Sequence, residues 1–305
     1  MNSPRPATVH DLPQIIDLLD RIFRREKGVE DQSVLTDFPL VFDDDNLANC
    51  RVIERDGRIV SHAAVWPRTF RFAGESISVG IIVLVATDSR YRRQGLAAEL
   101  MRDLQVAMPG LGCQLGLLWT GVPDFYEPLG WRVVQAPGWI VREATSPQDR
   151  RGRLRVVDYE TNRHLDALHH LHRDQPIHSQ RTRAESAKLF TLPKCPVLVG
   201  EIDGHPVAYL VEGRATNKRG LVEYAGDPVD VWELICHVTT ARGPQQLLIF
   251  PTHPELAELA RGAGLTIAPL KSSKGFGDEM VLLLDETVAE AGVVEQLFCW
   301  GLDQA

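Results

Sequence analysis

A chain of 305 residues with 44% hydrophobic and 24% charged side chains has the make-up of a soluble globular protein and the length of a two-domain one. A formal charge of -8, with no basic stripe interleaved with aromatics, excludes a general nucleic-acid binder. No apolar run reaches membrane-spanning length, Met1 to Pro6 lack a signal peptide's apolar core, and five scattered cysteines form no Cys-x-x-Cys pair. Reduced thiols, a cytoplasmic location and no membrane partner are therefore expected.

In chain order, Asp11 reads as the cap of a helix from about Leu12 to Arg25, with Ile15, Ile16, Leu18, Leu19, Ile22 and Phe23 on one apolar face. The stretch from Asp31 to Asn49 looks irregular, and its run Asp43-Asp44-Asp45 reads as a solvated loop. Strands follow at Arg51 to Glu54 and Arg58 to Phe72, joined by the turn Asp56-Gly57. A turn at Ala73-Gly74 leads into a long strand ending at Thr87.

After that strand stands Arg90-Tyr91-Arg92-Arg93-Gln94-Gly95-Leu96-Ala97, and Leu96 to Met108 has helical periodicity. A strand thus runs into a basic, glycine-containing turn that opens a helix. Such a turn presents free backbone N–H groups and the positive end of a helix dipole to an anion. It is a phosphate cradle without the Gly-Lys-Ser/Thr ending of a nucleotide P-loop. A strand at Gln114 to Trp119, a short helix holding Tyr126 and a strand from Trp131 to Arg142 complete this half.

The spacing Arg92-x-x-Gly95-x-Ala97 resembles the acyl-CoA pyrophosphate loop of the GNAT N-acetyltransferase superfamily. Further along, Asp124-Phe125-Tyr126-Glu127-Pro128-Leu129-Gly130-Trp131 resembles the signature that follows the fifth strand in many members. The resemblance implies the α/β (α+β) GNAT acyl-CoA transferase fold, a mixed, mostly antiparallel sheet flanked by helices. It also implies acetyl-CoA as cosubstrate and acetyl transfer to a primary amine of a small molecule or peptide. In the family a bulge splays the fourth strand from the fifth and pantetheine enters the gap. The matching backbone is that of Val85, Ala86 and Thr87, and the pyrophosphate would lie on Arg92, Arg93, Gln94, Gly95, Leu96 and Ala97. Tyr126 matches the position from which a phenol protonates the departing thiolate. Arg90 reads as a solvated side chain. No carboxylate stands on Val79 to Ala86 to act as general base.

A composition shift at Ser146 to Arg153 marks a linker, giving a transferase domain over 1–147 and a second unit over 148–305. In that unit Thr161 reads as the cap of a helix carrying Leu165, Leu168 and Leu171, and Asp203-Gly204 repeats the Asp56-Gly57 hairpin. The chain therefore reads as two tandem GNAT-like domains. In place of the basic turn the second has Gly226-Asp227-Pro228-Val229-Asp230, whose carboxylates would repel a pyrophosphate. It is expected to shape the acceptor site or provide an interface, and a homodimer stays open. His164, His169, His170, His172 and His178 read as a polar helix face rather than a metal site, and Lys274-Gly275-Phe276-Gly277 as a hairpin loop. The alternatives are a transferase using another acyl-CoA and a non-catalytic CoA-binding sensor or assembly protein.

Overall fold

Asp56 and Gly57 both adopt left-handed backbone angles, φ 50° and 73°, as a tight two-residue hairpin turn requires. Asp203 and Gly204 do the same at 51° and 80°. These two hairpins lie at equivalent places in two sheets of a computed structural model. It describes residues 3–29, 31–72, 74–135, 138–144, 152–214, 217–270, 278–290 and 293. The position-147 boundary, most of the linker and the Lys274 to Gly277 loop lie outside the described residues.

The first half runs β1 (Arg5–Pro6), α1 (Leu12–Phe23), α2 (Val34–Asp37), α3 (Asp44–Leu47), β2 (Cys50–Arg55), β3 (Arg58–Phe72) and β4 (Glu75–Thr87). It continues through α4 (Leu96–Ala107), β5 (Leu115–Thr120), α5 (Pro123–Tyr126), β6 (Arg132–Val134) and β7 (Trp139–Ala144). The second half begins β8 (Arg155–Asp158), α6 (Thr161–Arg173), β9 (Ile177–Ser179), α7 (Arg183–Leu189), β10 (Val197–Ile202), β11 (His205–Arg214) and β12 (Asn217–Gly226). It ends α8 (Pro228–Arg242), β13 (Gln245–Ile249), α9 (Pro254–Gly262), β14 (Ala268–Pro269), β15 (Asp278–Leu283) and α10 (Glu286–Glu290).

The first sheet has the order β1-β2-β3-β4-β5-β15-β6, with β9 added to the end of β3. The second has the order β8-β10-β11-β12-β13-β7-β14. Both are antiparallel except at one step, β4 to β5 in the first and β12 to β13 in the second. Order and direction match strand for strand, with one exchange between the halves. The strand beside β5 comes from the end of the chain, and the strand beside β13 comes from the first half.

That exchange corrects the expectation of one strand from Trp131 to Arg142. The segment is two strands in different sheets, β6 and β7. Gly138, at φ 110°, lies between them, and a Cβ there would stand 2.3 Å from the Ile249 carbonyl oxygen. A turn without a side chain lets the backbone pass close to β13 as it crosses to the second sheet. Two expected caps also differ. Asp11 holds the N-cap position of α1, but its carboxylate bonds no N–H of that helix; it accepts hydrogen bonds from Thr8 and from Arg5 at 2.8 Å instead. Thr161 is the first residue of α6, and Glu160 holds the cap position.

Helix α1 packs Ile15, Leu18 and Leu19 onto one face of the first sheet, in a core that continues into the second half. Helix α4 packs Leu96, Leu100, Met101 and Leu104 onto the other face, in a separate core with Tyr126 and Trp131. The two halves are also pinned by Arg68 with Glu185 and by Lys188 with Asp43. Because β15 completes the first sheet, cutting the chain after residue 144 uncovers the edge of β5 and its buried Leu115, Leu117 and Leu118. Such an edge templates aggregation. The truncated chain is expected to be insoluble, as the soluble fraction after expression will show.

Candidate active site

Parallel pairing of β4 with β5 covers only Val79, Gly80 and Ile81 against Leu115, Gly116 and Leu117. Both strands continue, β4 to Thr87 and β5 to Thr120, without pairing to each other. The cause is a bulge in β4. Its Leu84 and Val85 stand against the single residue Ala63 of β3, where the register shifts between His62 and Ala64. An extra residue bends a strand and increases its twist. Leu84 carries the strain, with φ at 54°, a left-handed value uncommon for a leucine.

His62 on β3 fixes this bend. Its Nδ1–H donates to the Leu84 carbonyl at 2.9 Å, and its Nε2 is a buried acceptor without a protein donor among the described residues. Burial lowers the imidazole pKa from 6.5 to about 4, so the ring is neutral near pH 7. Below about 6.5 the unfolded chain takes up a proton that the native ring refuses until about 4. The stability from this ring is thus complete above pH 6.5 and declines toward pH 4, by roughly 3 kcal/mol. Urea titrations should show a smaller loss between pH 7.5 and 5 for His62→Phe than for the unaltered protein.

Below the bulge, the Ser61 hydroxyl meets the Ala86 carbonyl at 3.0 Å and the Thr87 hydroxyl at 2.8 Å. Arg92 Nε donates to the Thr87 carbonyl at 3.1 Å. The turn that follows is organised by the buried Asp88, which accepts from the Arg90 backbone at 3.0 Å and pairs with Arg90 and Arg21. These cations and hydrogen bonds, Arg90 foremost, hold its carboxyl far below the usual range. Arg90 is thereby occupied with Asp88 rather than free to meet an anion.

Arg93 and Gly95 take left-handed angles, φ 63° and 80°, and Gly95 is the N-cap of α4. Among the described residues no side chain caps this helix, and a Cβ on Gly95 would meet nothing within 4 Å. Arg92, Arg93 and Gln94 are exposed, while Leu96 is buried as an anchor. The first N–H groups of a twelve-residue helix therefore face open space beside two arginines. The splayed ends of β4 and β5 lie next to them.

On the α4 face, Tyr126 sits on α5 with 7% of its surface exposed. Phe125 and Trp131 pack edge-on against its ring, at 4.7 and 6.5 Å between centroids. Burial raises its pKa to about 12, and a hydrogen bond with Thr120 works in the opposite direction. Thr120 also accepts the Val122 N–H at 3.0 Å, which ties the tyrosine to the last residue of β5.

The structure thus gathers Val85 to Thr87, Arg92 to Ala97 and Tyr126 at one end of β4 and β5. Beside them lie His62 and Glu279, which no motif in the sequence marks. Glu279 on β15 stands in register with Trp119 on β5 and accepts from its indole N–H at 3.1 Å. A lone histidine on an apolar strand and a carboxylate on a distant one carried no local signal. Asp43, by contrast, is tied to Lys188. His164 pairs with Glu201, His169 with Ser186, His172 with the Ser179 carbonyl and His178 with the Gln175 carbonyl.

In the second sheet β12 and β13 also separate after two paired positions, Gly220 with Gln246 and Leu221 with Leu247. There the Tyr224 side chain spans the gap. Its hydroxyl donates to the Leu248 carbonyl at 3.0 Å and accepts the Phe250 N–H at 3.4 Å. His253 packs edge-on against that ring at 5.1 Å. Asp227 caps α8 with its own side chain, and a Cβ on Gly226 would stand 2.5 Å from the Val207 carbonyl oxygen. Both features of the first site, the gap and the uncapped helix, are closed here.

The family model described as an acetyltransferase (GNAT) domain matches residues 3–134. No curated protein matches the chain in sequence. Among solved structures, a GCN5-related N-acetyltransferase from Kribbella flavida superposes with a TM-score of 0.66 at 15% identity, covering 95% of this chain and 72% of that one. A GCN5-related N-acetyltransferase from Anabaena variabilis gives 0.63 at 16%, covering 92% and 72%. Eis1 from Mycobacterium abscessus gives 0.61 at 13%, covering 95% and 75%. At these identities the likeness is one of fold, and it extends over both sheets.

Proposed function

We propose that this chain, whose residues 3–134 match the family model of an acetyltransferase (GNAT) domain, is an acetyl-CoA-dependent N-acetyltransferase acting on a primary amine of a small molecule or peptide. Family and fold support acyl transfer from an acyl-CoA to an amine; the acetyl group and the acceptor are our reading. One observation carries it: β4 parts from β5 beside an uncapped helix N-terminus with open space over Gly95.

The chemistry follows from what each part offers. Pantetheine would take the strand-like hydrogen bonds that β4 and β5 do not make to each other, along Val85, Ala86 and Thr87. Its pyrophosphate would meet the N–H groups from Arg92 to Ala97, with Arg92 and Arg93 adding charge. Backbone donors at the bulge would polarise the thioester carbonyl. Tyr126, neutral at pH 7, would hand its proton to the departing thiolate.

The separation of β4 from β5 beside an uncapped helix, set against the separation of β12 from β13 that Tyr224 spans, supports a single cofactor site per chain. Calorimetry with acetyl-CoA should return a stoichiometry of one, unchanged in Asp227→Ala and Asp230→Ala. Two equivalent sites would reject this assignment. Release of CoA that depends on added amine then separates a transferase from a binding protein.

A further inference from the structure

We propose that the Glu279 carboxylate is the general base that takes the proton from the acceptor ammonium, delivered to the site by a strand that the second half inserts into the first sheet. This role rests on the transferase reading above and supplies the base that β4 lacks.

Position comes first. Glu279 pairs with Trp119, which lies past Leu117, the last β5 residue paired to β4. It therefore flanks the diverging ends of the strands, one strand spacing of roughly 4.8 Å from β5. Its face is that of Leu115, Leu117 and α1, because directly paired strand residues share a face and Trp119 packs into that core. Tyr126 belongs to the opposite face, with α4. A thioester threaded between β4 and β5 would thus have its leaving sulfur served from one face and its carbonyl open to attack from the other.

The environment of the carboxyl supports the same role. Glu279 is 7% exposed, and one oxygen is held by the Trp119 indole. From β5 comes Trp119, and from β6 its register partner Val134, neither a charge. Its strand neighbour Asp278 pairs with Thr120 and so belongs to the other face. Among the described residues no cation neutralises Glu279. A buried carboxyl without a cation destabilises a fold rather than supporting it. Burial raises its pKa to about 7, partly offset by the indole bond, which suits a base working near neutrality. His62 shares this face, but its proton affinity is much lower and its N–H is committed to Leu84.

The step balances as follows. The carboxylate takes one proton from R–NH3+, and the freed lone pair forms the C–N bond at the thioester carbon. The tetrahedral intermediate collapses, the C–S bond breaks, and the thiolate takes its proton from Tyr126. The nitrogen loses a second proton as the amide forms, which restores the tyrosine through water. Glu279 then releases its proton to solvent, so each transfer yields amide, CoA thiol and one proton.

The test is Glu279→Gln in the full chain, assayed with acetyl-CoA and an amine panel. The acetyl-CoA dissociation constant should stay within about twofold while kcat falls roughly a hundredfold. The acid limb of kcat/KM, with an apparent pKa about 7, should vanish. The melting temperature at pH 8 should equal or exceed that of the unaltered protein, because a buried charge has been removed. The kcat defect should shrink for a hydrazide acceptor that is already neutral at assay pH. Unchanged kcat and an unchanged pH profile would overturn the role while leaving the transferase intact. Parallel losses of acetyl-CoA binding and melting temperature would make Glu279 merely structural. Unaltered protein that releases no CoA with any amine would remove both the transferase reading and this role.

Discussion

Gly95→Glu is expected to weaken acetyl-CoA binding by more than about a hundredfold, the largest single effect on the cofactor site. Two causes act together. The glycine takes φ 80° at the N-cap of α4, where a side chain is strained but has open space around it. A glutamate would fill the space through which a pyrophosphate reaches the helix N–H groups. Its carboxylate would also compete for them, as an acidic side chain does at any helix start. The fold should change little, since no neighbouring atom lies within 4 Å of the added Cβ and helix N-termini favour acidic groups. Gly95→Ala separates the causes, keeping the backbone strain without the charge or bulk. It should weaken binding by no more than about tenfold. Calorimetry on both variants, with melting temperatures as a control, checks the claim. A glutamate variant that binds acetyl-CoA normally would move the pyrophosphate away from this turn.

The strand, turn and helix start of the candidate cofactor site were legible in the sequence because their signals are local. A strand, a turn with Gly95 and a helix start lie within a short stretch, and Asp56-Gly57 dictates its hairpin by backbone angle alone. The bulge was located only through family resemblance, because Leu84 at φ 54° is a residue type that does not announce a left-handed turn. Here the hydrogen bond from His62, on another strand, holds the conformation. The exchanged strands were illegible for a related reason. Pro137-Gly138 marks a break between Arg132 and Ala144, but nothing local says that the two pieces on either side join different sheets. Glu279 meets Trp119 only once β15 has crossed back. Tyr224 likewise looks like any buried strand tyrosine until the separation of β12 from β13 gives its hydroxyl two backbone partners. Local chemistry can be read along the chain; chemistry assembled by long-range strand pairing requires the fold.

Replacing Tyr126 by phenylalanine should lower kcat by roughly ten- to a thousandfold at unchanged acetyl-CoA affinity. The ring is retained, so its edge-on packing with Phe125 and Trp131 survives and the core under α5 stays filled. What is lost is the hydroxyl and its bond with Thr120, at the end of β5 where the leaving sulfur would emerge. With its pKa raised to about 12 by burial, the phenol stays protonated throughout the working pH range. It should therefore impose no basic limb of its own below that pH. The loss must also depend on the leaving group. A thioester whose thiolate is already stable in water, such as a nitrophenyl thioester, needs no proton to depart. The variant should turn it over at nearly the unaltered rate, even as acetyl-CoA turnover collapses. Equal losses with both donors would assign the hydroxyl to positioning, and equal rates with acetyl-CoA, measured where chemistry limits turnover, would take Tyr126 out of the reaction.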